Sequence, residues 1–136
     1  MKKLNKYGLS PGKIFKVSVN HQRVSRDTIS GIVTSPDNII LGDAVFGFSD
    51  WQGYTVPGTS HSGPYYWFNT SPVVKKEKKS DSLIEITTES GSIYLIEYTN
   101  VLTGSLDEPS DEVLEKMAVQ VEFQKKVIEA TNKFRN

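Results

Sequence analysis

The sequence predicts an α+β fold: an antiparallel β-rich region over residues 1–104 followed by a C-terminal helical segment, 105–136, used in oligomerisation. Three observations carry this. Residues 13–101 break into short apolar-alternating runs separated by turn residues, the pattern of half-buried strands joined by tight connections. After Gly104 the period changes to that of a helix, with acidic residues at its start and basic ones at its end. The chain has 136 residues, 37% hydrophobic and 24% charged, with no Cys, enough to bury a core without disulfides or metal.

Taken in order, Phe15, Val17 and Val19 alternate with Lys16 and Ser18 and predict a first strand. Further strands are expected at 28–34, 39–46, 65–74, 82–88 and 92–98. Ser35-Pro36-Asp37-Asn38, Val56-Pro57-Gly58, Ser62-Gly63-Pro64 and Glu89-Ser90-Gly91 supply the turns between them. The last two runs form a hairpin, Ile84 to Thr88 against Ile93 to Tyr98, across a Gly-containing loop. Lys75-Lys76-Glu77-Lys78-Lys79 is expected as a solvated loop.

Pro109 suits a first helical turn, and the helix is expected over 109–133. At 1.5 Å per residue that is on the order of 37 Å, longer than one small sheet needs as cover. Its apolar residues form two stripes: Leu114, Met117, Val121 and Ile128 on one, Val119, Phe123, Val127, Ala130 and Phe134 on the other. One stripe can cover the sheet, which leaves the second for another partner and predicts a homodimer or higher homo-oligomer.

Lys and Arg number 16 against 16 Asp and Glu, a formal charge of zero. The long-range attraction behind binding to long nucleic acids or anionic membranes is therefore missing. The charge is nevertheless segmented: residues 1–36 carry +6, 37–69 carry −3, 70–80 carry +3 and 81–108 carry −6. Among the cations, Arg23 and Arg26 are the pair suited to gripping phosphates bidentately. No run is apolar and long enough to span a bilayer, and no secretory leader is legible, so a cytoplasmic location is expected.

Eight of the fourteen aromatics lie between 46 and 68, interleaved with glycines. Tyr65 to Phe68 are four consecutive rings, and a strand must place two on each face. Trp51, Tyr54, Tyr65 and Trp67 could stack on a flat polar ligand such as a nucleobase, with His61, Asn69 and Ser90 reading its polar edges. The same rings could instead close the core or an interface.

Catalytic sets are not found. Gly53 to Ser60 has the glycine spacing of a phosphate-binding loop, yet Thr59 stands where the lysine must be. Ser60-His61-Ser62 puts hydroxyls beside an imidazole, but neighbours on an extended chain point to opposite sides. Two histidines and no cysteine are too few for the usual zinc centres. The expectation is a non-enzyme with no cofactor and no metal.

Asn69-Thr70-Ser71-Pro72-Val73-Val74, followed by Ile86-Thr87-Thr88-Glu89-Ser90-Gly91-Ser92-Ile93-Tyr94 ahead of a long C-terminal helix, resembles the phage-encoded Thoeris anti-defence sponge proteins. The resemblance implies a cytoplasmic homo-oligomer that binds a cyclic ADP-ribose isomer, or another cyclic nucleotide signal, and releases it intact. The competing expectation is a homo-oligomeric structural or interaction module, a virion component or protein inhibitor, whose aromatic surface binds another chain.

Overall fold

The computed structural model describes residues 2–20, 22–49, 66–99 and 109–135, with side chains left out at 2–3, 25–28, 66 and 132–135. A short helix α1 (Lys2–Lys6) leads into β1 (Leu9–Val17) and β2 (Arg23–Thr34). A 3-10 turn at Pro36–Asn38 precedes β3 (Phe46–Ser49), then β4 (Tyr66–Asn69), β5 (Val73–Ser80), β6 (Leu83–Thr88), β7 (Ile93–Tyr98) and the long helix α2 (Asp111–Arg135). The architecture is α+β, an antiparallel sheet followed by a C-terminal helix.

Among the described residues the strands form one seven-stranded sheet in the order β4-β3-β2-β1-β7-β6-β5. Every described pairing is antiparallel. The two edge strands, β4 and β5, are consecutive in the chain, separated only by Thr70, Ser71 and Pro72. In a flat sheet the edges would stand six strand spacings apart, about 29 Å. The Asn69-to-Val73 link can span only on the order of 14 Å. The sheet must therefore roll up until the end of β4 and the start of β5 come together. Phe68 on β4 and Tyr94 on β7, four strands apart in the order, accordingly stack with ring centroids 6.2 Å apart.

Rolling encloses one face. Register places Ile29, Ile14, Ile96 and Ile84 side by side on β2, β1, β7 and β6. These isoleucines join Val33, Ile39, Val45, Val73 and Ile86 in a single buried cluster that contains no helix residue. The barrel is filled by its strands and by Ile39 and Val45 from the segment joining β2 to β3. Tyr98 crosses this interior, donating its hydroxyl to the Thr34 carbonyl at 2.6 Å. Between them on β1 stands Gly12, paired with both Gly31 and Tyr98. A Cβ at Gly12 would meet the Glu97 carbonyl at 2.8 Å and Val33 Cγ2 at 2.9 Å, so only glycine lets the strands pass this closely.

The outer face carries a second cluster: Leu9, Ile32, Phe46 and Phe48 from the strands, Ala44 from the segment before β3, Leu4 from α1, and Leu114 and Met117 from α2. Ser110 caps α2, its Oγ accepting from the Val113 amide at 3.3 Å, with Asp111 and Glu112 at the positive end of the helix. Val113, Val121 and Ile128 continue the contact along the helix. The inward stripe expected from the sequence, Leu114, Met117, Val121 and Ile128, is thus the one that packs on the sheet. In the other stripe Val119, Phe123 and Val127 are exposed by 68%, 59% and 43%.

Several expectations are corrected. Residues 39–46 are not a strand: they turn back at 40–43 and strand geometry begins only at Phe46. Ile39 and Val45 are apolar because they close the barrel interior, not because they alternate. The expected strand at 65–74 is two, broken at Thr70–Pro72, where Pro72 lacks the N–H a ladder needs. Lys75 to Lys79 are not a loop but most of β5, an edge strand whose charges discourage pairing with another chain. Lys76 donates to the carbonyls of Pro36 at 3.2 Å and Ile39 at 3.3 Å, tying that edge to the 3-10 turn. The first strand ends at Val17, leaving Val19 in the following turn.

Candidate ligand-binding cleft

The corner that lets β4 become β5 also shapes a cleft. Thr70, 2% exposed, fixes it: its amide donates to the Val45 carbonyl at 2.9 Å, while its hydroxyl accepts from the Val45 amide at 3.0 Å and donates to the Ser71 carbonyl at 2.7 Å. On the other side the Glu89 amide donates to the Pro72 carbonyl at 2.8 Å. The β6–β7 turn is tightened by Gly91 at φ +88°, a left-handed conformation suited to glycine. Ser71 and Ser90 are thereby brought within hydrogen-bond distance although 19 residues apart, Ser71 Oγ donating to Ser90 Oγ at 2.9 Å.

Around Ser90 the hydroxyls form a chain. Thr88 Oγ1 lies 3.1 Å from Ser90 Oγ, and Ser90 Oγ 3.4 Å from Ser92 Oγ. The C-terminal half of α2 passes over this corner. Ser71, Pro72, Glu89, Ser90, Val127, Ile128 and Thr131 line a cleft of about 330 Å³, within the range of small-molecule sites, about 300–1,000 Å³. It offers an apolar surface from Pro72, Val127 and Ile128, hydroxyls that both donate and accept, and one carboxylate. A second recess of about 420 Å³ also borders Ile128 and holds Lys125 and Lys126 with Gly42, Asp43, Glu122 and Glu129. These lysines are on the helix turn preceding Val127 and Ile128.

The expected site residues divide. Ser90 lines the cleft. Asn69 stands at the end of β4, its amide donating to the Thr70 carbonyl at 3.1 Å, so it braces the corner. Trp67 is half-buried against the outer cluster that α2 covers, facing the sheet–helix layer instead of the cleft. Arg23 lies at the start of β2 with its guanidinium 4.9 Å from the Phe15 ring centroid, a cation–π contact, and does not line the cleft. Trp51, Tyr54, His61, Tyr65 and the side chain of Arg26 lie outside the described residues.

Ser71, Pro72, Glu89, Val127, Ile128 and Thr131 were not expected as site residues. The first three fall within the two stretches that carry the family resemblance. Val127 and Ile128 read as helix packing stripes, and nothing local marks a packing residue as a cleft wall. Among the described residues no group of three or more His, Cys, Asp or Glu is placed to hold a metal ion. Nor is any described helix long and apolar enough to cross a membrane. No family profile, curated protein or solved structure matches the chain.

Proposed function

We propose that the protein is a cytoplasmic, non-enzymatic sponge. It binds a cyclic nucleotide signal, a cyclic ADP-ribose isomer or a related cyclic oligonucleotide, and releases it unchanged, withholding it from a bacterial antiviral defence. The observation that supports this reading most is the meeting of residues 69–74 and 86–94, the stretches that resemble the anti-defence sponges, at one hydroxyl-lined cleft. Sequestration asks of such a site only shape, hydroxyl and carboxylate partners for ribose and base edges, and apolar surface against a ring. Lys125 and Lys126, one helix turn away, are the described cations nearest in sequence to the cleft's helix wall and supply positive charge for phosphates.

The test is equilibrium binding to a panel of cyclic dinucleotides and cyclic ADP-ribose isomers, with Thr131→Trp as the blocking variant. Thr131 is exposed, so a larger side chain there fills the mouth without entering the core. At least a tenfold loss of affinity, about 1.4 kcal/mol, is expected for whichever panel member binds. Equal affinity in the folded variant would move the site away from this cleft.

A second reading, a homo-oligomeric interaction module, draws on one different observation: the uncovered stripe of Val119, Phe123 and Val127.

A further inference from the structure

We propose that a second copy of this chain docks on the exposed stripe of α2 in the antiparallel sense, with Phe123 on the two-fold axis and Val119 of each subunit against Val127 of the other.

Three large apolar side chains, Val119, Phe123 and Val127, follow one another at four-residue intervals along α2, each between 43% and 68% exposed, with Val127 at the border of the cleft. A run of this kind on a helix whose opposite stripe packs on the sheet is surface that a lone subunit leaves in water. What covers it is indicated by charge. Residues 111–122 of α2 hold Asp111, Glu112, Glu115 and Glu122 against Lys116, a net −3. Residues 123–135 hold Lys125, Lys126, Lys133 and Arg135 against Glu129, a net +3. A parallel pair would set −3 beside −3 and +3 beside +3. An antiparallel pair sets each acidic half against a basic half and opposes the helix dipoles as well.

The helix is thus complementary to itself in one direction only. That is the requirement of an isologous two-fold interface, in which one patch serves both subunits. The stripe is symmetric about Phe123, four residues to Val119 and four to Val127, so the apolar and electrostatic matches share a centre. Val127 also lines the cleft, which places Val119 of the partner subunit at the cleft's helix-side rim. The dimer does not depend on what the cleft binds.

The chain has no cysteine, so single-cysteine variants report orientation cleanly. Val119 and Val127 stand about 12 Å apart along the helix axis, well beyond the roughly 7 Å Cα limit for a disulfide. In the antiparallel pair, V119C alone and V127C alone remain uncrosslinked on oxidation, while a re-equilibrated mixture of the two forms a 119–127 disulfide. Light scattering of the unmodified full chain reads twice 15.2 kDa, and F123E, altered at an exposed position, reads the single mass with its circular dichroism unchanged. Raising salt weakens the unmodified dimer, because opposite charges face one another. Crosslinks within V119C or within V127C alone, with none in the mixture, would overturn the antiparallel arrangement. A single-subunit mass up to high micromolar concentration would overturn the dimer itself. Both results are read on ligand-free protein, and ligand binding is read separately on the same samples.

Discussion

Replacing Leu114 by alanine asks whether α2 belongs to the same folding unit as the barrel. The Leu114 side chain is 0% exposed and packs in a cluster with Leu4, Leu9, Ile32, Phe46, Phe48 and Met117. That cluster draws on α1 and three strands, so the site has little freedom to collapse around a smaller side chain. Truncation removes the transfer free energy of a buried isobutyl group and leaves a cavity, together about 2–5 kcal/mol. Val119→Ala is the internal control: it is five residues along the same helix but 68% exposed, and its cost should stay within about 0.5 kcal/mol. Both belong in the F123E background, so that dissociation does not contribute. Urea unfolding followed by circular dichroism measures the difference. With a slope of about 2 kcal/mol per molar urea, L114A should lower the midpoint by roughly 1–2.5 M while V119A moves it by under about 0.3 M. Similar small shifts for the two would mean that the helix does not rest on the sheet through this stripe.

Two further perturbations probe the barrel interior. Gly12→Ala should cost about 1–3 kcal/mol, because the new Cβ would press on the Glu97 carbonyl and Val33 in a close-packed space; thermal melting reads it, and an unchanged midpoint would mean that the strands pass less closely than described. Burial, reinforced by the Asp37 charge, pushes the Tyr98 phenol above the usual range for tyrosine. Because the folded value is raised, the stability this group contributes is complete below the unfolded value of about 10 and is lost as pH rises above it. Ultraviolet titration should show one tyrosine that ionises only with unfolding, and Tyr98→Phe should remove that step.

The parts of this fold legible in the sequence are those set by short-range physics. Ile84 and Ile86 alternate with Glu85 and Thr87, and Gly91 marks the turn, so the β6–β7 hairpin could be read directly. The helix announced itself through Pro109, its acidic first turn and two apolar stripes, and the structure buries one of them. Barrel closure was not legible, because it depends on β4 and β5 lying on opposite edges, a relation between strands far apart in the sheet. Residues 39–46 and the lysine run misled for the same reason. Ile39 and Val45 are apolar to close a barrel, and Lys75 to Lys79 are charged because they form an edge. Of the cleft, Ser90 was expected, whereas Ser71, Val127 and Ile128 acquire their role only once three distant segments meet. Trp67 could be read as a stacking ring or as core, and its neighbours place it on the outer core.

The central claim is that this chain holds a cyclic nucleotide without changing it. Native mass spectrometry of the freshly purified protein, then of the protein incubated with cyclic dinucleotides and cyclic ADP-ribose isomers, tests it most directly when the bound molecule is released and weighed. The account predicts a stoichiometric complex with one of these compounds and recovery of that compound at its original mass. No complex across the panel, or recovery of a cleaved or otherwise altered product, would contradict it.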